Sequence, residues 1–83
     1  MKILYFAWLR QHTGMAEEIL EPAPQVATAG ALIDWLIDRS PGHAAAFEQR
    51  SSIRIAIDQA FADPGDSIVG AAEVAFFPPV TGG

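Results

Sequence analysis

Residues 28–40 of this 83-residue chain, TAGALIDWLIDRS, form its one clearly helix-periodic stretch; short β-type runs lie on either side. Leu32, Trp35 and Leu36 recur at i, i+3 and i+4, with the stem of Arg39 at i+7. Ile33 and Ile37 widen that apolar stripe, while Asp34 and Asp38 face water. Thr28 has the right side chain to cap the first turn, and Pro41 and Gly42 are expected to end the helix. A shorter helical turn is expected over residues 44–49, with Phe47 as its apolar anchor. One amphipathic helix can cover only one face of a sheet, and this limits what the remaining segments can build.

Those segments read as strands. Residues 2–9 are rich in β-branched and aromatic side chains, with Ile3, Tyr5 and Ala7 on one face and Leu4, Phe6 and Trp8 on the other. Gly14 permits a turn. A second strand is expected over residues 17–21, with Ile19 inward, its glutamates exposed, and Pro22 and Pro24 ending it. Together these make a first hairpin over residues 2–21. Residues 53–57 alternate cleanly, three isoleucines inward against Arg54 and Ala56 outward. Asp58-Gln59 reads as a turn or strand end, and Asp63-Pro64-Gly65-Asp66 as a second turn. Residues 73–77, EVAFF, form the last strand, with Val74 and Phe76 on one face and Ala75 and Phe77 on the other.

The resulting order is strand, strand, helix, short helix, strand, loop, strand. A single helix packed on a small mixed sheet is an α+β layout. The first and last strands, however, carry large apolar side chains on both faces. The face without the helix would therefore expose an apolar patch, of the kind that marks protein interfaces unless loops cover it.

Composition narrows the functional classes. Eighty-three residues make one domain, and an apolar fraction of 51 % stocks a core. A net charge of −5 argues against nucleic acid and against an anionic membrane surface. It would suit a protein partner with a basic rim, or solubility alone. There is no cysteine, hence no disulfide, thiolate metal site or cysteine nucleophile. The apolar start is too short to span a membrane and has no small-residue cleavage site, so the expected location is the cytoplasm.

Side chains suited to catalysis are few. His12 and His43 lack metal-ligand spacing, and both read as surface residues. Glu17 and Glu18 are strand neighbours pointing to opposite faces, which rules out a simple acid–base pair. Ser51, Ser52 and Thr28 have no paired base. No metal site is expected, and the glycines form no phosphate-cradling loop before a helix.

The chain's end is more informative. Pro78 and Pro79 lack N–H donors, so they end sheet pairing and stiffen the exit of an extended tail, residues 78–83, from a domain of residues 1–77. Six residues reach about 20 Å at ~3.3 Å each. Gly82 and Gly83 have no side chains and could thread a narrow channel.

The segment EVAFFPPVTGG, residues 73–83, resembles the C-terminal signature of the molybdopterin synthase small-subunit family, sulfur carriers of the ubiquitin-like β-grasp group. The start, KILYFAWLRQHTG, is similar to that family's opening strand and arginine, and the helix and IRIAIDQAF follow in family order. The resemblance implies a ubiquitin-like β-grasp fold: a mixed four- to five-stranded sheet, one main helix on one face, and an extended C-terminal tail.

It also implies a chemistry centred on Gly83. An adenylating, E1-like activating enzyme would use ATP and magnesium to convert the Gly83 carboxylate to an acyl-adenylate. Sulfur from a persulfide donor would then displace AMP and leave a thiocarboxylate. The large subunit of the synthase would receive the tail, Pro78, Pro79, Val80, Thr81 and Gly82 threading Gly83 into its active site, and the sulfur would build the dithiolene of molybdopterin. Catalytic side chains would lie on the large subunit of a heterotetramer, and this chain would bind no cofactor tightly. Phe6, Phe61 and Phe77 match family positions that meet the activating enzyme and the large subunit, with Arg10 adding a polar contact nearby.

Three alternatives share these residues: a thiocarboxylate carrier for thiamine or another sulfur metabolite, a ubiquitin-like modifier conjugated to lysines, and a binding module whose Pro-Pro stem docks an aromatic groove. Pro-Pro-Val-Thr before the glycines favours the molybdopterin reading. No PxxP motif supports the last alternative.

Overall fold

A computed structural model describes residues 1–79. Five strands form one mixed sheet in the order β2-β1-β5-β3-β4. They are β1 (Lys2–Tyr5), β2 (Glu17–Ile19), β3 (Arg54–Ile57), β4 (Ala60–Ala62) and β5 (Glu73–Phe77). β1 and β5 are parallel at the centre, and the remaining neighbours are antiparallel. This is the expected α+β, ubiquitin-like β-grasp arrangement with five strands.

The strand registers assign the two faces. Ile3 stands beside Val74 and Tyr5 beside Phe76, while Ile55 pairs with Phe76 and Ile57 with Val74. This face is buried under three helices: α1 (Trp8–Thr13), α2 (Ala29–Ile37) and α3 (Pro41–Ala46). Leu32, Ile33 and Leu36 of α2 are fully buried there with Leu9 and Phe47. Phe47 meets Phe76 edge-on, with ring centroids 5.0 Å apart. Thr28 caps α2 as expected, its Oγ1 accepting from the Ala31 N–H at 3.1 Å.

Several expected boundaries are corrected. The first strand does not run to residue 9: it stops at Tyr5, and Ala7 takes φ 54° as the chain leaves the sheet for α1. α1 therefore interrupts the first hairpin, and Gly14 ends it in the left-handed conformation that glycine tolerates. Trp8 is anchored by its indole N–H, which donates to the Ala46 carbonyl at 3.3 Å. The second strand is shorter than residues 17–21 and has the opposite facing. Ile3 pairs with Glu18, so Glu18 is buried and Ile19 is exposed.

The short helix begins at Pro41 rather than residue 44, and ends at Ala46. Pro41 occupies the first turn of α3, where its missing N–H costs nothing, so it starts one helix as well as barring extension of another. Ser40 caps α3, accepting from the His43 N–H at 3.1 Å. Gly42 lies against α1: a Cβ there would sit 2.5 Å from the His12 carbonyl oxygen.

The stretch read as a loop after residue 57 contains β4. Asp58 and Gln59, at φ 48° and 71°, make the two-residue reversal between β3 and β4. The Asp58 carboxylate accepts from the Ala72 and Glu73 N–H groups at 2.9 and 3.0 Å, fixing the start of β5. The turn at residues 63–66 forms as expected, with Asp66 N–H donating to the Asp63 carbonyl at 3.0 Å.

Candidate functional site

The sheet's second face is the candidate site. Side chains alternate along a strand, so residues between the buried positions point away from the helices. In register, Glu17, Leu4, Ala75, Ala56 and Phe61 cross the five strands as one row that is apolar except at the β2 edge. Phe77 and Arg54 stand side by side nearer the C-terminal end of β5. At the opposite end Lys2 stands beside Glu73. On the strands of this face Lys2 and Arg54 offset Glu17 and Glu73, and Asp63 just beyond β4 adds one negative charge at its rim.

Phe61 is 83 % exposed, on the edge strand β4, and its ring lies 5.9 Å from that of Phe77. The two rings border a shallow depression with Arg54 and Asp63. Phe6 is 48 % exposed just beyond β1, and its N–H donates to the Phe76 carbonyl at 3.2 Å. Phe6 thus flanks the end of β5 from the β1 side, as Phe77 and Phe61 do towards β3 and β4.

Arg10 is placed differently. It is exposed on α1 and borders a separate depression with Ala7, Gln11 and Gly14. Pro78, half-buried, and Pro79, exposed, continue from β5 at the centre of the sheet. Val80, Thr81, Gly82 and Gly83, for which tail threading and the terminal carboxylate were expected, lie outside the described residues.

The helical side holds a polar cluster that the sequence reading missed. His43, expected at the surface, is 4 % exposed, while His12 is exposed as expected. The Glu18 carboxylate accepts from the Tyr5 hydroxyl at 2.9 Å and from Arg39 Nη2 at 2.6 Å, and its Oε1 lies 3.0 Å from His43 Nε2. His43 Nδ1 lies 2.8 Å from Ser40 Oγ. Burial pushes the Tyr5 hydroxyl well above its ordinary pKa, and both the hydrogen bond to Glu18 and the carboxylate's charge push the same way. Arg39 also lies over the Trp35 ring, 4.9 Å from its centroid. Every buried polar side chain among the described residues has a partner, so this cluster fastens β1, β2 and the α2–α3 connection together. Within the described residues no group of His, Asp and Glu side chains is arranged to hold a metal, and no helix is long and apolar enough to cross a membrane.

Arg54 points outward as expected, and it stands beside Phe61 and Phe77, which the sequence does not show. Its alternation with Ile53 and Ile55 gave the direction; only strand pairing gave the neighbours.

A helix-backed mixed sheet with one open face, and a chain leaving its central strand, define a ubiquitin-like protein. The ThiS family model matches residues 3–83, and the chain belongs to the ThiS family. It is 31 % identical over 83 residues to the molybdopterin synthase sulfur carrier subunit of Haemophilus influenzae, spanning 100 % of this chain and 99 % of that one. Among solved structures it is similar to SAMP1, small archaeal modifier protein 1, of Haloferax volcanii. The TM-score is 0.71 at 27 % identity, covering 100 % of this chain and 98 % of the other. It is also similar to a Pyrococcus furiosus protein assigned as subunit 1 of a molybdopterin converting factor, with a TM-score of 0.73, 27 % identity and 95 % of both chains covered.

Proposed function

We propose that this chain is the sulfur carrier subunit of a molybdopterin synthase and that the carboxylate of Gly83 is its reacting group. The observation that carries the reading is the full-length likeness to the Haemophilus influenzae sulfur carrier subunit, within a family match that extends to Gly83. The geometry supports it: β5 lies at the sheet centre, so Pro78 leaves beside Phe6, Phe61 and Phe77, where a partner on the open face could take up the tail.

A carboxylate resists nucleophiles because its charge repels them. In the proposed sequence an activating enzyme, using ATP and magnesium, joins the Gly83 carboxylate to the α-phosphate and releases pyrophosphate. The terminal sulfur of a persulfide donor attacks the acyl carbon and AMP departs, leaving an acyl disulfide. A second thiol then attacks the donor's own sulfur, is oxidised to a disulfide with it, and releases the thiocarboxylate. The large subunit accepts the tail, and the sulfur is transferred to a pterin precursor to form the dithiolene. The carrier contributes positioning: β5 and its proline stem aim the tail, and the open face binds. Assembly is as a heterotetramer with the large subunit, in the cytoplasm.

The ThiS family match favours a second reading, a thiocarboxylate carrier of another route such as thiamine synthesis. The likeness to SAMP1 favours a third, a protein modifier using the same activated glycine. Incubation with the activating enzyme, ATP and a sulfur donor tests the shared chemistry by intact mass. Replacement of one oxygen by sulfur at Gly83 is expected, and an unchanged mass under adenylating conditions defeats the carrier reading. Production of molybdopterin on adding the large subunit and precursor then selects the first reading. Isopeptide-linked adducts in cells would select the third.

A further inference from the structure

Arg54 stands beside Phe77 across the β3–β5 ladder and shares its depression with Phe61 and Asp63. It is exposed, and among the described residues its guanidinium makes no ion pair or side-chain hydrogen bond. The other cations are placed differently. Arg39 is held by Glu18 and Arg50 by Asp34, Lys2 has Glu73 beside it, and Arg10 lies off this face on α1. Arg54 is thus the one cation in the aromatic half of the open face.

We propose that Arg54 is a specificity-determining contact, and that the protein receiving the tail presents a carboxylate to it. The proposal rests on the sulfur-carrier reading and names the chemistry of that partner's surface. Any protein that covers Phe77 and Phe61 must also cover Arg54, because the three line one depression. Stripping water from a guanidinium without supplying an acceptor would cancel much of what the aromatic contact contributes. A carboxylate matches the planar fork of guanidinium donors with two parallel hydrogen bonds, which a lysine cannot reproduce. A large subunit with apolar side chains but no acid at this point would be rejected, so Arg54 sorts partners that the phenylalanines alone would accept.

The competing counter-ion is Asp63 of the same chain, and the experiment separates the two. The full-length chain and the source organism's molybdopterin synthase large subunit are titrated calorimetrically, using wild type, R54E, R54K, D63N and F77A, with thermal melts confirming each fold. R54E is expected to bind at least about 30-fold more weakly, R54K to fall between, and D63N to stay within about threefold of wild type. Reversing one large-subunit carboxylate to lysine is expected to restore R54E. R54E binding as tightly as wild type while F77A is lost overturns the proposal, as does D63N weakening as far as R54E. Failure of wild type to bind, or F77A binding normally, overturns instead the assignment of the open face on which the proposal rests.

Discussion

Glu18 of β2 stands directly opposite Ile3 of β1, so a carboxylate shares the core face with one of the most deeply buried aliphatic side chains. It is tolerated because its oxygens meet Tyr5, His43 and Arg39 at 2.6–3.0 Å. Hydrogen on Nε2 of His43 suits both of the ring's contacts: Nε2–H donates to Glu18, and the Ser40 hydroxyl donates to Nδ1. The edge strand is thereby fastened to the helical layer at one point.

Glu18→Ala is expected to cost about 3 kcal/mol, because the Tyr5 hydroxyl and the His43 ring would lose their buried acceptor. Glu18→Gln, which keeps a carbonyl oxygen, is expected to lose less. Urea unfolding of the two variants checks this, and a loss below about 1 kcal/mol for Glu18→Ala would refute the cluster's role.

Tyr5 is the chain's sole tyrosine, so tyrosinate absorbance reports on it alone. Its folded pKa lies above the unfolded value of about 10, so its contribution to stability is complete below that value. The contribution is lost as pH rises towards the folded pKa. Tyrosinate absorbance and loss of circular dichroism are therefore expected to rise together in alkali. Ionisation near pH ~10 with the fold intact would contradict the buried assignment.

Gly42→Ala is expected to destabilise the protein by about 1–3 kcal/mol, since its Cβ would collide with the rigid His12 carbonyl between α3 and α1. Gly65→Ala is the control. Nothing lies within 4 Å of a Cβ there, and a change within about 0.5 kcal/mol is expected. Equal melting shifts for the two variants would show that the helix contact is not tight.

Phe61→Ala should leave folding stability within about 0.5 kcal/mol of wild type, because the ring is 83 % exposed. Its binding to the large subunit is expected to weaken by about 2 kcal/mol. Calorimetry of folding and of binding separates the two effects. A large folding loss, or unchanged binding, would remove Phe61 from the docking surface.

Much of the fold was legible in local pattern. The Thr28 cap, the Leu32–Leu36 stripe, the alternation around Arg54 and the two faces of EVAFF all appear as read. The C-terminal signature was legible as a family resemblance, and the family match spans it. The apolar second face followed from counting one helix against strands with two apolar faces, and Phe61 and Phe77 lie there.

The failures share a physical origin. Residues 2–9 are apolar at nearly every position, so no period showed where strand gives way to helix. The break comes at Ala7, and Leu9 and Trp8 then pack beneath α3 rather than along the sheet. Glu17-Glu18-Ile19 suggested an inward isoleucine on hydrophobicity alone. A one-residue change of register exchanges the faces of a strand, and this register is set by pairing with β1. The groups that make a buried Glu18 acceptable, Tyr5, Arg39 and His43, lie 13, 21 and 25 residues away. Local sequence dictated which segments could be strand or helix, since propensity and periodicity act between near neighbours. Which glutamate turned inward, and which arginine came to lie beside two phenylalanines, depended on long-range pairing, and only the assembled sheet determined it.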